Sequence, residues 1–300
     1  MTTRGSSSKK GTLVTAALAV GAALAAGIGA AAEQHLALRE ALTFHAPLDG
    51  KGDAAYATGD PRLYSALSFK QRADARPGLP DGDGALIAAG AGRFGDALRF
   101  TKKGAPLVFF RGARNMPYEA EGWSGTVSFW LSVDPAGELE PGFCDPVQIT
   151  PRSWNDAAFF VEFEKRPDSI PFRLGVYADL HVWNPEKRRF ADIPPEERPL
   201  VTVDDPPFGA GKWTHVVFTF ERFNSGRSDG VARLYLDGAL RGELAPRQQS
   251  FTWDPEQNTI ALGLNYIGLL DELSIFNRAL GADEIRTLYA LDGGVESLVR

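Results

Sequence analysis

A two-residue repeat of apolar side chains, recurring along most of the chain, is the feature that most restricts how this sequence can fold. In residues 126–133 every second position is apolar, which is the period of a strand with one buried face. Turn signals such as Asp237-Gly238 separate the runs. Runs of this kind occupy residues 126–133, 158–165, 172–180, 213–221, 231–237, 259–264 and 267–276. The pattern predicts an all-β chain folded as a two-sheet antiparallel sandwich.

One segment near the C-terminus has a helical period instead. Ile285, Leu288 and Tyr289 form an i, i+3, i+4 stripe, and Asp283 lies in the first turn, where the helix dipole favours an anion. Gly281 precedes the segment as an acceptable N-cap. The sequence therefore predicts a short C-terminal helix.

The N-terminus carries a compartment signal. Basic residues such as Arg4 precede an uncharged, Ala-rich stretch over residues 11–32, which ends in Ala30-Ala31-Ala32. This order is typical of a secretory signal, but the stretch is also long enough to span a bilayer as an apolar N-terminal helix. A cleaved signal peptide and a single uncleaved membrane anchor both remain open. In either case the positive-inside rule predicts an exported protein: periplasmic, cell-surface or secreted.

These patterns divide the chain into four parts. We predict a signal peptide or anchor over residues 1–32, a linker over 33–42, a sandwich domain over 43–292 and a tail over 293–300. The net charge of −6 argues against a nucleic-acid partner. Cys144 is the one cysteine, so the chain cannot form an internal disulfide. Two Pro-, Gly- and Asp-rich stretches, residues 51–90 and 184–210, are either rim decoration or binding loops.

Several motifs, in order and spacing, resemble one family. The most specific is GLLDELSIFNRAL at residues 268–280. The others are HAPLDG (45–50), GRFGDALRF (92–100), WSGTVSFWL (123–131), GKWTHVV (211–217) and LYLDG (234–238). Together they resemble the concanavalin A-like lectin/glucanase superfamily, in its laminin G-like or pentraxin-like form. The resemblance implies a jelly-roll sandwich and covers most of the predicted exported part.

The resemblance also implies a structural calcium ion with Asp49 and Asp271 among its ligands. Asp271 has the strand parity of Leu269 and Leu273, so we expect it to point toward apolar surroundings, where a carboxylate needs a partner. Calcium, which prefers oxygen ligands, is one such partner. The alternative is that Asp271 accepts hydrogen bonds from a turn or from Arg278 and binds no metal.

Enzymatic function is the weaker prediction. Glucanases with this fold carry Glu-x-Asp-x-x-Glu on one strand, whereas this chain has Glu162, Glu164 and Pro167 at the corresponding positions. We therefore expect Glu162 and Glu164 to be a solvated strand face and predict no catalytic residue. His215 lies in a strand without a serine or cysteine motif nearby, which favours a structural role.

The remaining chemistry points to recognition. Sugar rings stack on aromatic faces, and Trp130, Trp154, Tyr177 and Trp183 lie on polar strand faces or in loops where stacking is feasible. We predict a non-catalytic carbohydrate- or protein-binding module at the cell surface or in the periplasm, with a glycan or surface-protein ligand. If the leader is uncleaved, the membrane is a further partner. A glycoside hydrolase and a structural envelope protein are the alternatives.

Overall fold

A computed structural model of the chain describes residues 1–2, 32–82 and 84–299. The predicted leader falls almost entirely on residues 3–31, outside the described part, so its two alternatives stay predictions. Among the described residues, no helix is long and apolar enough to cross a membrane. The chain divides into two compact units, Met1–Glu40 and Ala41–Arg300, and residues 32–41 are helical.

The second unit contains two antiparallel sheets built from strands that we number in chain order. They are β1 Leu42–Ala46, β2 Tyr56–Ala57, β3 Leu63–Ala66, β4 Arg76–Pro77, β5 Ala85–Ala88, β6 Ala97–Phe100, β7 Leu107–Arg111, β8 Trp123–Ser132, β9 Gly142–Thr150, β10 Ala158–Lys165, β11 Phe172–Tyr177, β12 Leu200–Val203, β13 Trp213–Phe223, β14 Gly230–Leu236, β15 Ala239–Arg247, β16 Thr259–Leu264 and β17 Gly268–Phe276.

Strand order confirms the predicted all-β sandwich. One sheet runs β15-β14-β13-β8-β17-β1-β2, with β6 also paired to β17 and β5 to β6. The other runs β12-β11-β10-β9-β16-β7-β3-β4. Consecutive strands pair in β13-β14-β15 and β9-β10-β11-β12, but other neighbours are distant in sequence, as in β8 beside β17, so the fold also depends on long-range pairing.

The hydrophobic core lies between the two sheets. Trp123 of β8 is fully buried there, and its ring lies 4.6 Å from Phe220 of β13 and 5.6 Å from Phe159 of β10, centroid to centroid. On β10, Phe159, Val161 and Phe163 belong to this core. Because side chains alternate along a strand, Phe160 and Glu162 lie on the opposite face of the second sheet.

Helices occupy few of the described residues. The predicted C-terminal helix is present as Ala282–Ala290, and the Gly281 amide donates a 2.9 Å hydrogen bond to the Glu284 carboxylate at its start. The strand expected to reach residue 180 ends at Tyr177, because a helical turn, Leu180–Trp183, follows. The remaining short elements are the α-helix Glu296–Val299 and the 3-10 helices Phe69–Asp74, Phe190–Asp192, Pro195–Glu197 and Pro255–Gln257.

The strand parity predicted for Asp271 is wrong. A register shift separates Asp271 from Ser274, and Glu272 between them has a left-handed φ of 57°. In the part of β17 that precedes this shift, Leu270 and not Leu269 belongs to the core. Asp271 pairs with Trp130, and its side chain lies on the face of the sheet that points away from the core. The bulge restores the expected core orientation only from residue 273 onward. Asp271 is nevertheless fully buried.

Candidate functional site

A groove of about 540 Å³ lies on the face of the second sheet that points away from the core. Its floor comes from alternate residues of β9, β10, β11 and β16, and its walls come from loops that follow these strands. The lining residues are Phe143, Asp145, Gln148, Trp154, Phe160, Glu162, Arg173, Tyr177, Phe190, Leu264 and Asn265. The groove has the size of a small-molecule or cofactor site, and five of its eleven lining residues are aromatic.

A bulge in β9 shapes the groove floor. Val161 pairs with Val147 and Phe163 pairs with Cys144, so two residues of β9, Asp145 and Pro146, face the single residue Glu162. Proline cannot donate to a ladder and is found at bulges when it occurs inside a sheet. The extra residue lets Asp145 and Gln148 both reach the groove while Val147 stays in the core.

Aromatic rings form one wall. The Trp154 side chain is 45% exposed, and its ring meets Tyr177 edge-on at 5.6 Å and Phe190 at 6.2 Å. Phe160 lies on the floor, stacked on Tyr177 at 5.4 Å. Phe143 is 53% exposed. The Arg173 guanidinium lies over the Phe143 ring, with its central carbon 5.4 Å from the ring centroid. An exposed indole backed by packed rings offers a rigid flat surface to a ligand.

The loop that carries Trp154 is held in place by hydrogen bonds to the segment after β11. The Trp183 indole N–H donates to the Asn155 carbonyl at 2.9 Å, and the Leu180 amide donates to the Asp156 carboxylate at 2.9 Å. Arg152 pairs with the buried carboxylate of Asp179. These contacts fix the orientation of Trp154 before any ligand arrives, which lowers the entropy cost of binding.

Charged side chains occupy the groove beside the aromatic wall. Arg173 bonds Glu162 through one terminal nitrogen at 2.5 Å and Glu164 through the other at 2.6 Å. Glu162 is only 6% exposed, so the expectation of a solvated strand face is wrong for this residue. The reason is tertiary: β11 places Arg173 directly opposite Glu162 in the sheet.

Asp145 differs from these paired groups. It is half-buried and makes no hydrogen bond or ion pair with any residue in the described part of the chain. Burial raises its pKa well above the usual range, and the negative charge of Glu162 adds to the effect. An unpartnered carboxyl group facing a groove is free to bond a ligand.

The structure brings together some of the predicted sugar-binding residues and separates others. Trp154 and Tyr177 both line the groove. Trp183 supports it from behind, with its ring 4.9 Å from Tyr177. Trp130 lies in the other sheet and is 5% exposed, because Tyr289 of the C-terminal helix stacks on it at 5.7 Å. We therefore leave Trp130 out of the candidate site.

The two predicted calcium ligands, Asp49 and Asp271, both contact the turn at residues 92–96. Asp49 accepts a hydrogen bond from the Asp96 amide at 2.6 Å, and Asp271 accepts one from the Phe94 amide at 3.1 Å. Burial raises the pKa of both carboxyl groups, and Asp271 reaches about 7. Their mutual repulsion is what a cation would relieve. Among the described residues, however, no three acidic, histidine or cysteine side chains converge as a metal site, so calcium stays a prediction.

Eight of the eleven lining residues were not predicted from the sequence as site residues: Phe143, Asp145, Gln148, Phe160, Arg173, Phe190, Leu264 and Asn265. Phe143 and Asp145 belong to β9, which the sequence analysis did not predict because Pro146 interrupts the run. That proline within an apolar, alternating stretch was the available signal for a bulged strand. Phe190 lies in the long 184–210 segment, whose sequence gives no sign that it approaches β11.

Two antiparallel sheets with this groove define a β-sandwich of the concanavalin A-like type. A family model described as concanavalin A-like lectin/glucanases superfamily, of laminin G type, matches residues 119–286. The chain belongs to this family, which confirms the resemblance drawn from its motifs. No curated protein matches the sequence significantly.

Solved structures share the fold at low identity. The receptor binding domain of botulinum neurotoxin C/D mosaic serotype aligns with a TM-score of 0.52 and 13% identity, over 84% of this chain and 51% of that one. The binding domain of Paraclostridial Mosquitocidal Protein 1 aligns with a TM-score of 0.48 and 13% identity, over 84% and 52%. Domain 4 of AbnA, an extracellular arabinanase from Geobacillus stearothermophilus, in complex with arabinotriose, aligns at 0.42 and 18%, over 83% and 98%. The chain spans about half the length of the two toxin domains.

Proposed function

We propose that this protein is a carbohydrate-binding module and that the groove on the second sheet holds the glycan. The observation that carries the proposal is the exposed Trp154 ring, fixed beside Tyr177 and Phe190 and facing acidic and amide side chains across the groove. A sugar ring has an apolar face of C–H groups and an edge of hydroxyls. The groove offers an aromatic surface for the first and hydrogen-bonding groups for the second.

The polar groups are suited to hydroxyl recognition. Gln148 and Asn265 each carry an amide, which both donates and accepts hydrogen bonds. Asp145 adds a carboxyl group without a protein partner among the described residues. Gln148 is buried, so a ligand that lacks a matching hydroxyl leaves its amide unpaired, which favours discrimination between ligands.

The test is glycan binding by the wild-type protein and by Trp154→Ala. We expect the substitution to weaken binding at least about tenfold, equivalent to about 1.4 kcal/mol. Tyr56→Ala is the matched control, because Tyr56 is a similarly exposed aromatic residue on β2 of the other sheet. Equal loss in both variants, or no loss in Trp154→Ala, would contradict the proposed site. Failure of the wild-type protein to bind any glycan or polysaccharide would favour a structural envelope role.

Glycoside hydrolysis is the second candidate. The observation that favours it is the placement of Asp145 and Glu162 in the same groove, because glycosidases use two carboxyl groups on either side of the bond that they cleave. The raised pKa of Asp145 suits a proton donor. Burial also raises the pKa of Glu162, and the Arg173 contact opposes that rise. If the groove is catalytic, reducing sugar accumulates with a bound oligosaccharide and Glu162→Gln abolishes its release. A pure binding module releases none.

We also propose that the protein acts outside the cytoplasm, on the strength of the basic-then-apolar leader at residues 1–32. Cell fractionation followed by N-terminal sequencing of the mature protein tests this. A new N-terminus near residue 33 in a soluble exported fraction indicates a signal peptide. An intact N-terminus in the membrane fraction indicates an anchor, and recovery from the cytoplasm overturns the proposal.

A further inference from the structure

The charges of the groove restrict the ligand further than its aromatic wall does. Asp145 and Glu162 are the acidic lining residues, and Arg173 is the one cation among the described residues that line it. Both terminal nitrogens of Arg173 are already bonded, one to Glu162 and one to Glu164. Its Nε is buried and has no hydrogen-bond partner among the described residues. In the described part of the chain, the charge of the one lining cation is therefore already balanced by two carboxylates.

Two other arginines near the cluster have contacts of their own. Glu164 is shared with Arg166, so that second guanidinium is also engaged. Arg198 stands behind the groove wall, where its guanidinium stacks over Phe190 at 4.6 Å and its Nε donates to the Ile193 carbonyl. An acidic sugar in the groove would lose its hydration and meet two carboxyl groups instead of a counter-charge.

We infer that the groove selects uncharged glycans and rejects those that bear carboxylates, such as uronic and sialic acids. This inference rests on the proposed carbohydrate-binding function and adds the substrate class. The aromatic wall provides affinity for any pyranose face, whereas the paired Arg173 and the unpaired Asp145 provide the discrimination. Specificity thus comes from a repulsive element as well as from attractive contacts.

Methyl esters provide a direct test, because esterification removes the charge and keeps the sugar skeleton. An array would carry uncharged oligosaccharides together with oligogalacturonates, glucuronate-bearing xylo-oligosaccharides and sialosides, each acid beside its methyl ester. We expect the wild-type protein to bind uncharged members only, with every free acid at least about tenfold weaker than its ester. A free acid bound as tightly as its ester, or more tightly, overturns the inference.

Asp145→Asn locates the cause of the discrimination. The Asp145 side chain makes no hydrogen bond or ion pair with any described residue, so the substitution removes an ionisable carboxyl group without breaking a structural contact. We expect acidic members to become detectable, or the ratio of ester to acid binding to narrow. An unchanged ratio would show that the groove charge does not set specificity and would overturn the inference.

Trp154→Ala separates this inference from the proposed function. Acidic glycans bound by the wild-type protein and lost in Trp154→Ala would overturn the charge selection and leave the groove as the binding site. Binding that is unaffected by Trp154→Ala, or no binding on the whole array, overturns the proposed function and the inference with it.

Discussion

His215 is a residue type that often acts as a general base, but its surroundings in the structure give it a structural role. The sequence places it in the motif Trp-Thr-His-Val, and in the structure its ring packs against Trp130 at 4.7 Å and Tyr289 at 5.9 Å. Its Nε2 lies 2.8 Å from the Ser128 hydroxyl. Burial lowers the pKa of His215 to about 3. The imidazole is therefore neutral in the folded protein at physiological pH and far from the groove.

The buried His215 predicts acid sensitivity. As pH falls below about 6.5, the unfolded chain takes up a proton that the folded protein does not bind until about pH 3. Stability should therefore fall with falling pH across that window, by up to about 1.4 kcal/mol per pH unit for one group. Urea unfolding measured at several pH values checks this, and His215→Gln should have a shallower dependence.

In His215→Gln the slope of unfolding free energy against pH should be smaller than in the wild-type protein but should not vanish. His45 is also buried, with its pKa lowered to about 4, and it acts in the same direction. The comparison uses slopes rather than absolute stabilities, since the substitution also removes ring contacts. Identical slopes in the two proteins would show that His215 does not contribute to acid unfolding.

At the scale of elements, the groove depends on how β10 and β11 pair. Phe160 lies opposite Gly175, and a Cβ atom built on that glycine would come within 2.2 Å of the Phe160 ring. The absence of a side chain at residue 175 therefore lets the ring lie flat over β11 as part of the groove floor. At this position β11 shapes the groove floor through the lack of a side chain.

Gly175→Ala is expected to lift Phe160 from the groove floor. The added methyl group overpacks the pair, which should cost about 1–3 kcal/mol of stability and reduce glycan affinity. Thermal or urea unfolding and a binding titration measure the two effects. Gly209→Ala is the control, since a Cβ there meets no atom within 4 Å. Unchanged affinity in a folded Gly175→Ala protein would mean that the position of Phe160 does not matter for binding.

At the scale of the molecule, the first and last strands of the sandwich are neighbours. β1 pairs with β17, and the turn at residues 92–96 packs over one end of this pair through Asp49 and Asp271. This junction joins segments from opposite ends of the domain, so anything that binds it stabilises the whole fold. We propose calcium as such a ligand.

Calcium should raise the unfolding temperature. A ligand at about 100 times its Kd that binds only the folded state adds about 2.7 kcal/mol. Unfolding in calcium and in EGTA checks this, and Asp271→Asn should lose the calcium-dependent difference while Asp204→Asn, at an exposed position, keeps it. Coincident wild-type curves in calcium and EGTA would mean that backbone hydrogen bonds alone satisfy these carboxylates.

Local periodicity was sufficient for the class of fold. The runs at residues 158–165 and 259–264 became β10 and β16 with the same bounds, and the i, i+3, i+4 stripe became the C-terminal helix. These features follow from the chain's own alternation, because a strand or helix buries the face that its sequence makes apolar. β9 escaped because a proline inside a sheet requires a bulge, and a bulge is stabilised by the neighbouring strand.

Only the tertiary structure decided the candidate site. Asp145, Glu162 and Arg173 lie on three different strands, and they meet because β9, β10 and β11 pair in one register. The same pairing buries Glu162, which the sequence pattern predicted to be solvated. A helix packed on the other sheet covers Trp130. The sequence by itself determined which residues face the core in the regular strands, but not in β9 or in the first half of β17, where bulges reset the alternation. Strand pairing and loop position decided which outward-facing residues share a groove. The local periodicity of the sequence contains no information about either.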